Sequence, residues 1–210
     1  MSSPSPLPHL PLVRLRASRS DVVRSLLERQ PAWSHSAPVR QLITGDRGVS
    51  WYRVAPESFS VQVRWRWRSE QWEEGEVDVL PGATVALRLV LGDVSPQAVT
   101  KKLDLLPTRA FMKGEGGVLA RSVRDEGLWI YEVLPGAFCF PEEKVAELLA
   151  LLRGRAGFRE VLSWPTVQWA GVTVKLRGPI ERLGGFSLEP RVLEDLVGLS
   201  LALDLELTAE

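Results

Sequence analysis

The chain has very few of the residues that most catalytic and metal sites require. Its 210 residues include one cysteine, Cys139, and two histidines, His9 and His35. A single cysteine cannot form a disulfide within the chain, and no cysteine and histidine cluster has metal-ligand spacing. Cys139 stands between Phe138 and Phe140, an apolar setting typical of a buried, unreactive thiol. The sequence therefore predicts no catalytic residue, no metal, no cofactor and no enzymatic activity.

The chain also has a formal net charge of zero at pH 7. The 26 basic and 26 acidic residues cancel, so no overall field attracts nucleic acid or an anionic membrane. No apolar run reaches the roughly 18 residues of a membrane span, and residues 1–11 lack the basic and apolar regions of a secretory signal. We therefore expect a cytoplasmic protein without a membrane partner, and nucleic acid is a disfavoured partner because any basic site would have to be local.

What is present is a regular alternation of strand and helix patterns. Period-two alternation predicts strands at 61–68, 73–79, 84–91, 127–133 and 167–176. Ser95 and Pro96 open a predicted helix, and a longer one over 141–155 places Val145, Leu148 and Leu152 on one face. Ser187 is predicted to cap a last helix. A final strand follows with leucines at the odd positions 199–207, so that one face is apolar and the other is exposed to solvent. This order predicts an α+β fold, a mainly antiparallel sheet packed against helices.

The chain divides by composition into three parts. Residues 1–11 hold four prolines and three serines and are predicted to be a disordered tail. Residues 12–82 form an N-terminal α/β segment, and residues 83–210 form a second domain. Displacing the sequence by 76 positions places Val13 on Leu89 and Pro31 on Pro107. The N-terminal segment is thus consistent with a degenerate copy of the second domain, although the shared periodicity of strand and helix units explains the match as well.

The stretch VQVRWRWR at 61–68 raises the question of nucleic-acid binding, because its arginines alternate with tryptophans. If the chain turns back through 69–73, however, the returning strand carries three acids that face these arginines. The predicted register pairs Arg64 with Asp78, Arg66 with Glu76 and Arg68 with Glu74. Such cross-strand ion pairs favour one register, so we interpret the arginines as part of a structural ladder.

A second basic cluster lies in and beyond the loop PTRAFMKGEGG at 107–117. Its spacing matches neither a phosphate-binding loop nor a dinucleotide fingerprint, since Leu119 stands where the third glycine belongs. Trp129 occupies a strand, where a tryptophan is usually part of the core, although tryptophans also anchor protein interfaces. The candidate binding residues are Arg109, Lys113, Glu115, Arg121, Arg124 and Trp129.

Three motifs stand out in the second domain: LLPTRAFMKGE at 105–115, GLWIYEV at 127–133 and GGFSLEPRVLEDLVGLSLALDLEL at 184–207. Together they resemble a bacterial family known as domain of unknown function 4279, and the resemblance covers residues 84–210. It implies a small cytosolic α+β domain with relatives of immunity type, which neutralise a partner toxin. It brings no reaction and no catalytic residue. The family pattern falls on Pro107, Thr108, Arg109, Lys113, Gly114, Glu115 and Trp129.

Three functional hypotheses follow. The first is a non-catalytic, cytoplasmic protein-binding module of immunity type, whose partner is another protein. The second is a small-molecule or nucleotide (anion) binding domain that uses the Arg109–Arg124 loop, and the third and weakest is a nucleic-acid-associated factor. An exposed apolar patch rimmed by charge would favour the first, a pocket with converging Arg109 and Lys113 the second, and a continuous positive stripe the third.

Overall fold

The chain divides into two compact units. In the computed structural model the described residues are 7, 38–53, 60–115, 125–178, 183 and 186–209. The N-terminal unit contains Met1–Gly82, Arg177–Gly184 and Thr208–Glu210, and the C-terminal unit contains Ala83–Leu176 and Gly185–Leu207. The positions that align residues 13–31 with the second domain lie outside the described residues, so the internal repeat stays a prediction.

The N-terminal unit contains a four-stranded antiparallel sheet. Its strands are β1 (Arg40–Thr44), β2 (Arg47–Arg53), β3 (Ser60–Arg68) and β4 (Gln71–Leu80), paired in chain order. The alternation of β3 places Val61, Val63 and Trp65 on the buried face, each at most 2% exposed. β1 was missed in the sequence because all five of its residues are exposed and it has no apolar alternation.

Two contacts hold the buried face of this sheet. The indole Nε1 of Trp65 donates to Ser50 Oγ at 3.0 Å, which satisfies two polar groups inside the core. Leu7, the one described residue of the predicted tail, is 3% exposed and packs so closely on Gly48 that a Cβ there would collide with its side chain. The other ten residues of 1–11 lie outside the described residues, so the disordered tail stays a prediction.

The C-terminal unit combines a five-stranded sheet with helices. Its strands are β5 (Gly82–Leu91), β6 (Arg109–Phe111), β7 (Gly127–Glu132), β8 (Val167–Gly178) and β9 (Ala202–Ala209), in the spatial order β6-β7-β5-β8-β9. Its helices are α1 (Pro96–Leu103), α2 (Pro141–Arg153), α3 (Gly157–Leu162) and α4 (Pro190–Gly198). Both β6 and β7, and β7 and β5, pair antiparallel. The predicted α+β class, mainly antiparallel sheet with helices, is confirmed. No helix in the described residues is long and apolar enough to cross a membrane.

The core of this unit lies on one face of the sheet. Leu89 of β5 and its cross-strand partner Trp129 of β7 are both fully buried. The indole Nε1 of Trp129 donates to Thr100 Oγ1 in α1 at 3.0 Å, so α1 covers this face. Helix α2 is anchored to β5 by Lys144, whose Nζ donates to the carbonyl oxygen of Ala83 at 2.9 Å although the side chain is buried.

The helix boundaries follow the capping signals only in part. Ser95 Oγ accepts from Ala98 N at 3.2 Å and begins α1 as predicted, and the apolar face of α2 is buried as predicted. The predicted cap of the last helix is wrong, because Pro190 occupies the first position of α4 and Glu189 precedes it as N-cap. The short α3 and β6 were not predicted, since each is too short to show a period.

Gly157 permits a close approach between α3 and the end of α1. A Cβ at this position would lie 2.4 Å from the carbonyl oxygen of Lys102, a backbone atom that cannot rotate away. We expect Gly157→Ala to lower the free energy of unfolding by about 1–3 kcal/mol, the usual cost of overpacking. Gly198→Ala is the matched control, because no atom lies within 4 Å of a Cβ there. Urea denaturation of both variants checks this, and equal losses of stability would contradict the contact.

Candidate functional site

The edge strand β9 exposes a row of leucines. β9 is the last strand in the order of its sheet, and Leu203, Leu205 and Leu207 are 42%, 45% and 53% exposed. Since alternate side chains of a strand share one face, these three form one apolar strip, here called the β9 leucine surface. The sequence predicted this apolar face, but not that it would remain open.

The β9 leucine surface continues the core face of the sheet. Glu206 of β9 forms an ion pair with Lys175 of β8, so these two side chains share a face. Lys175 lies between Val174 and Leu176, which are 0% and 2% exposed and therefore point to the other, core face. The leucines flanking Glu206 lie on that same core face. The buried apolar layer thus reaches the edge of the sheet and ends there uncovered.

Helix α4, which precedes β9 in the chain, also exposes apolar side chains. Leu193 and Val197 are 46% and 78% exposed and lie one helical turn apart, whereas Leu196 is buried. Arg153 Nη1 of α2 contacts Asp195 Oδ1 at 2.9 Å and ties α4 to the rest of the unit. The exposed apolar residues therefore belong to a fixed helix and not to a loose end.

The predicted basic cluster is only partly described. Arg109 begins β6 and is exposed, and Glu115 is exposed beyond its other end. Lys113 Nζ contacts Asp93 Oδ1 at 3.2 Å, which offsets its charge. Arg109 is the first residue of β6, whereas Lys113 lies beyond its other end in a turn closed by the hydrogen bond that Glu115 N donates to the Met112 carbonyl oxygen at 3.2 Å. Arg121 and Arg124 lie outside the described residues, and the cluster stays a prediction.

Trp129 has a structural place in the fold. Its side chain is 0% exposed, its indole N–H is satisfied by Thr100, and its ring stacks with that of Tyr131 at 6.4 Å. A side chain that is fully enclosed offers no area to a partner. Trp129 is therefore a core residue, and we leave it out of the candidate site.

Cys139 is less enclosed than the sequence indicated. It is half-buried, not buried, beside the edge-to-face pair of Phe138 and Phe140 at 5.7 Å. In the part of the chain that the structure describes, no group of three or more His, Cys, Asp or Glu side chains is placed to hold a metal ion. His9 and His35 lie outside it. The absence of catalysis, metal and cofactor stays a prediction.

The predicted register between β3 and β4 is wrong. Val63 pairs with Val77, and Trp65 pairs with Glu74, so that an irregularity lies between them. Gly75 and Glu76 together oppose Arg64, and a Cβ at Gly75 would lie 3.1 Å from the Arg64 carbonyl oxygen. These are the marks of a β-bulge with glycine at the crowded position. Because of the bulge and of a turn of only two residues, Ser69 and Glu70, each of the three arginines lies opposite a different residue from the one predicted.

The arginines of this sheet are less paired than predicted. Arg64 Nη1 contacts Glu76 Oε2 at 2.9 Å. Arg66 lies directly across from Glu73 of β4, but among the described residues neither Arg66 nor Arg68 forms an ion pair. Arg47 is the direct cross-strand partner of Arg66 and likewise has none among the described residues.

Other features of the same sheet weaken the case for nucleic acid. Trp65 faces the opposite side and is 2% exposed, so it offers no stacking surface beside the arginines. Asp46, Glu70 and Glu73 lie at the same end of the sheet. The surface is thus of mixed charge and not a continuous positive stripe, and nucleic-acid binding stays the weakest prediction.

Arg66 of β3 lies directly opposite Arg47 of β2, a like-charge pairing that destabilises a sheet, and on its other side directly opposite Glu73 of β4, an opposite-charge pairing that stabilises it. We expect Arg47→Thr to raise the free energy of unfolding by about 0.2–1 kcal/mol, and the gain to shrink at high salt because screening already weakens the repulsion. Arg64→Thr is the control, since it makes the same change at an arginine that has an ion pair. The measurement is the free energy of unfolding of both variants, from denaturation at low and at high salt. If both variants gain the same stability, the repulsion between Arg47 and Arg66 is not the cause.

The fold and these surfaces define an α+β protein of two units, in which the C-terminal unit presents an open apolar edge. Residues 82–210 match the family model described as Domain of unknown function (DUF4279). The chain belongs to this family. No curated protein and no solved structure matches it. The β9 leucine surface lies within the matched residues, whereas strands β1–β4 lie outside them.

Proposed function

We propose that the protein is a non-catalytic protein-binding module and that the β9 leucine surface is where its partner binds. The observation that carries this proposal is the open end of the core layer, where Leu203, Leu205 and Leu207 are each about half exposed. Apolar side chains gain free energy when a partner removes them from water, at roughly 25 cal/mol per Å². An exposed apolar strip rimmed by charge is typical of a protein interaction site.

The backbone of β9 adds a second means of attachment. An edge strand has one row of N–H and C=O groups that its own sheet does not use. An extended segment of a partner can pair with this row, while its alternate side chains contact the leucines. We therefore propose binding by strand addition.

The charges of β9 select the partner. Between the leucines stand Asp204 and Glu206, of which Glu206 is taken by Lys175. If two copies paired through β9 in antiparallel fashion about Leu205, Asp204 of each copy would face Glu206 of the other, and like charges in that position are destabilising. The arrangement thus disfavours a second copy and favours a partner strand in which apolar and basic residues alternate.

The wider setting of this function follows from the family resemblance. We propose a bacterial, cytoplasmic protein of immunity type, whose bound partner is a toxin held inactive. The alternative of anion binding by the Arg109–Arg124 loop has less support, because Lys113 is already paired with Asp93. Co-expression with candidate toxins tests the immunity role, since rescue of growth should require the β9 leucine surface.

The binding proposal is tested with a blocked peptide of alternating valine and lysine. We expect saturable binding of this peptide. A triple variant, Leu203→Thr, Leu205→Thr and Leu207→Thr, should weaken the binding at least about tenfold, because burial of each leucine contributes roughly 1 kcal/mol to the binding free energy. Alternate backbone amides of β9 should exchange more slowly in the complex. The measurements are calorimetric titration and amide hydrogen exchange.

A matched variant controls for general loss of surface hydrophobicity. Val39→Thr, Leu106→Thr and Met112→Thr together alter three exposed apolar residues elsewhere, at 47%, 79% and 41% exposure. This variant should bind the peptide as well as the unaltered protein does. If both triple variants lose binding equally, or if a peptide of alternating valine and glutamate binds as tightly, the proposed site is wrong.

A further inference from the structure

Arg88 occupies an unusual place at the centre of the C-terminal sheet. It lies on β5, the middle strand of the five. Its neighbours Leu87 and Leu89 are 0% exposed on the core face, so Arg88 projects from the opposite face. The side chain is half-buried there. This face is distinct from the one that carries the β9 leucine surface.

Arg88 has no anionic partner in the part of the chain that the structure describes. Its Nε is shielded from solvent and donates to no acceptor. The carboxylates that the strands place on this face are Glu132, which lies opposite Ala86, and Asp204 and Glu206 of β9, of which Glu206 pairs with Lys175. Among the described residues no ion pair joins any of them to Arg88. Arginines that leave solvent are normally paired, and an unsatisfied buried donor costs free energy. An acceptor from outside the chain would satisfy it.

Trp169 holds the guanidinium in position. The guanidinium carbon of Arg88 lies 5.8 Å from the centre of the Trp169 ring, a distance that suits a cation and aromatic contact. The indole lies across Gly171, because a Cβ there would come within 2.4 Å of its ring. Gly171 thus provides the space for the ring, and the ring restricts the guanidinium. A donor that is fixed before a ligand arrives binds with less loss of entropy.

Thr173 supplies a second unused polar group on this face. Its Oγ1 is shielded from solvent and has no hydrogen-bond partner. Val172 and Val174 on either side of it are 0% exposed on the core face, so Thr173 shares the face of Arg88 and Trp169. It stands on β8, the strand beside β5. A guanidinium Nε–H and a hydroxyl, both without a hydrogen-bond partner, therefore lie on adjacent strands of one face.

We propose that Arg88 and Thr173 form a binding site for a carboxylate. A guanidinium binds a carboxylate through two parallel N–H donors, and the Thr173 hydroxyl can donate one further hydrogen bond. The planar fork of the guanidinium matches the planar carboxylate better than the tetrahedral phosphate. Of the other cations on this face, Lys175 is paired with Glu206, while Arg109 lies across β7 from Arg88 and Arg177 stands further along β8. The site is independent of the partner surface proposed for β9.

The site is tested on the full chain by following the Arg88 Nε–H signal in nuclear magnetic resonance spectra. Benzoate is the free-acid probe, and a tripeptide with a free carboxyl terminus is the probe for a protein-borne carboxylate. We expect a saturable shift of the Arg88 signal with at least one probe, and none with the amidated tripeptide. The probe that binds more tightly identifies the source of the carboxylate.

Variants separate the roles of the residues. Thr173→Val keeps the shape of the side chain and should weaken binding about tenfold, the effect of losing one hydrogen bond to a charged group. Arg88→Gln, followed by the Trp169 Nε1–H signal, should abolish binding. The double Lys175 variant Lys175→Gln with Glu206→Gln is the matched control and should leave it unchanged, since it removes an ion pair without changing the net charge of the face. Loss of binding in the Lys175 variant would overturn the assignment.

Two further results would overturn the proposal. If no carboxylate gives a saturable shift, the unsatisfied groups are solvated by water alone. If inorganic phosphate binds as tightly as the carboxylates, the site is a general anion site. The triple leucine variant of β9 should bind the carboxylate normally, so failure of this site and failure of the β9 proposal give different results.

Discussion

The alternation of side chains along β5 determines what the C-terminal unit can offer to other molecules. Leu87, Leu89 and Leu91 point to one face and are fully buried, while Ala86, Arg88 and Val90 point to the other. Helix α1 covers the first face through its contact with Trp129. Because that face is closed at its centre, an apolar partner can reach only its uncovered margin at β9. The other face is also largely buried at β5, where Ala86 and Val90 are 9% and 7% exposed, and it holds the polar groups of Arg88 and Thr173 that have no partner. The two proposed sites therefore follow from a single packing arrangement.

These two sites rest on different physical effects. At β9 the driving force is removal of apolar area from water, which is non-directional, so the open backbone edge has to supply the geometry. At Arg88 the driving force is a directional, charge-assisted hydrogen bond in a shielded setting. The first tolerates many partner sequences of suitable pattern, whereas the second selects a functional group. A protein with both can bind a partner and respond to a small acid separately.

Much of the fold could be predicted from the sequence where local signals were strong. The cap at Ser95 and the spacing of Val145, Leu148 and Leu152 place α1 and α2 correctly, because these patterns arise within a few residues. Elements without a repeating pattern were missed, such as the fully exposed β1 and the three-residue β6. The β3 and β4 register failed because a period-two pattern carries no information on an extra residue inserted in one strand.

The candidate sites were harder to predict than the fold. Alternating leucines in β9 indicate which side chains share a face, but not whether a helix covers that face. Arg88 and Thr173 could not be predicted as site residues, since a single arginine and a single threonine among hydrophobic residues form no recognisable motif. The available signal was weak: an arginine in the middle of the apolar stretch TVALRLVL. Trp129 was ambiguous for a different reason. Tryptophan is common both in protein cores and at protein interfaces, so the residue type alone does not show which of the two it occupies.

The bulge in β4 determines where the hairpin of β3 and β4 can lose or gain one residue. The ladder on each side of Arg64 is regular, and the two parts differ by one residue. Loss of Gly75 would merge them into one continuous ladder in which Glu76 lies directly opposite Arg64, its present ion-pair partner. Side chains on both sides of the deletion would keep their faces, whereas a deletion elsewhere in the strand would turn every side chain beyond it to the opposite face. The hairpin contains one built-in place where evolution can add or remove a residue without refolding the sheet.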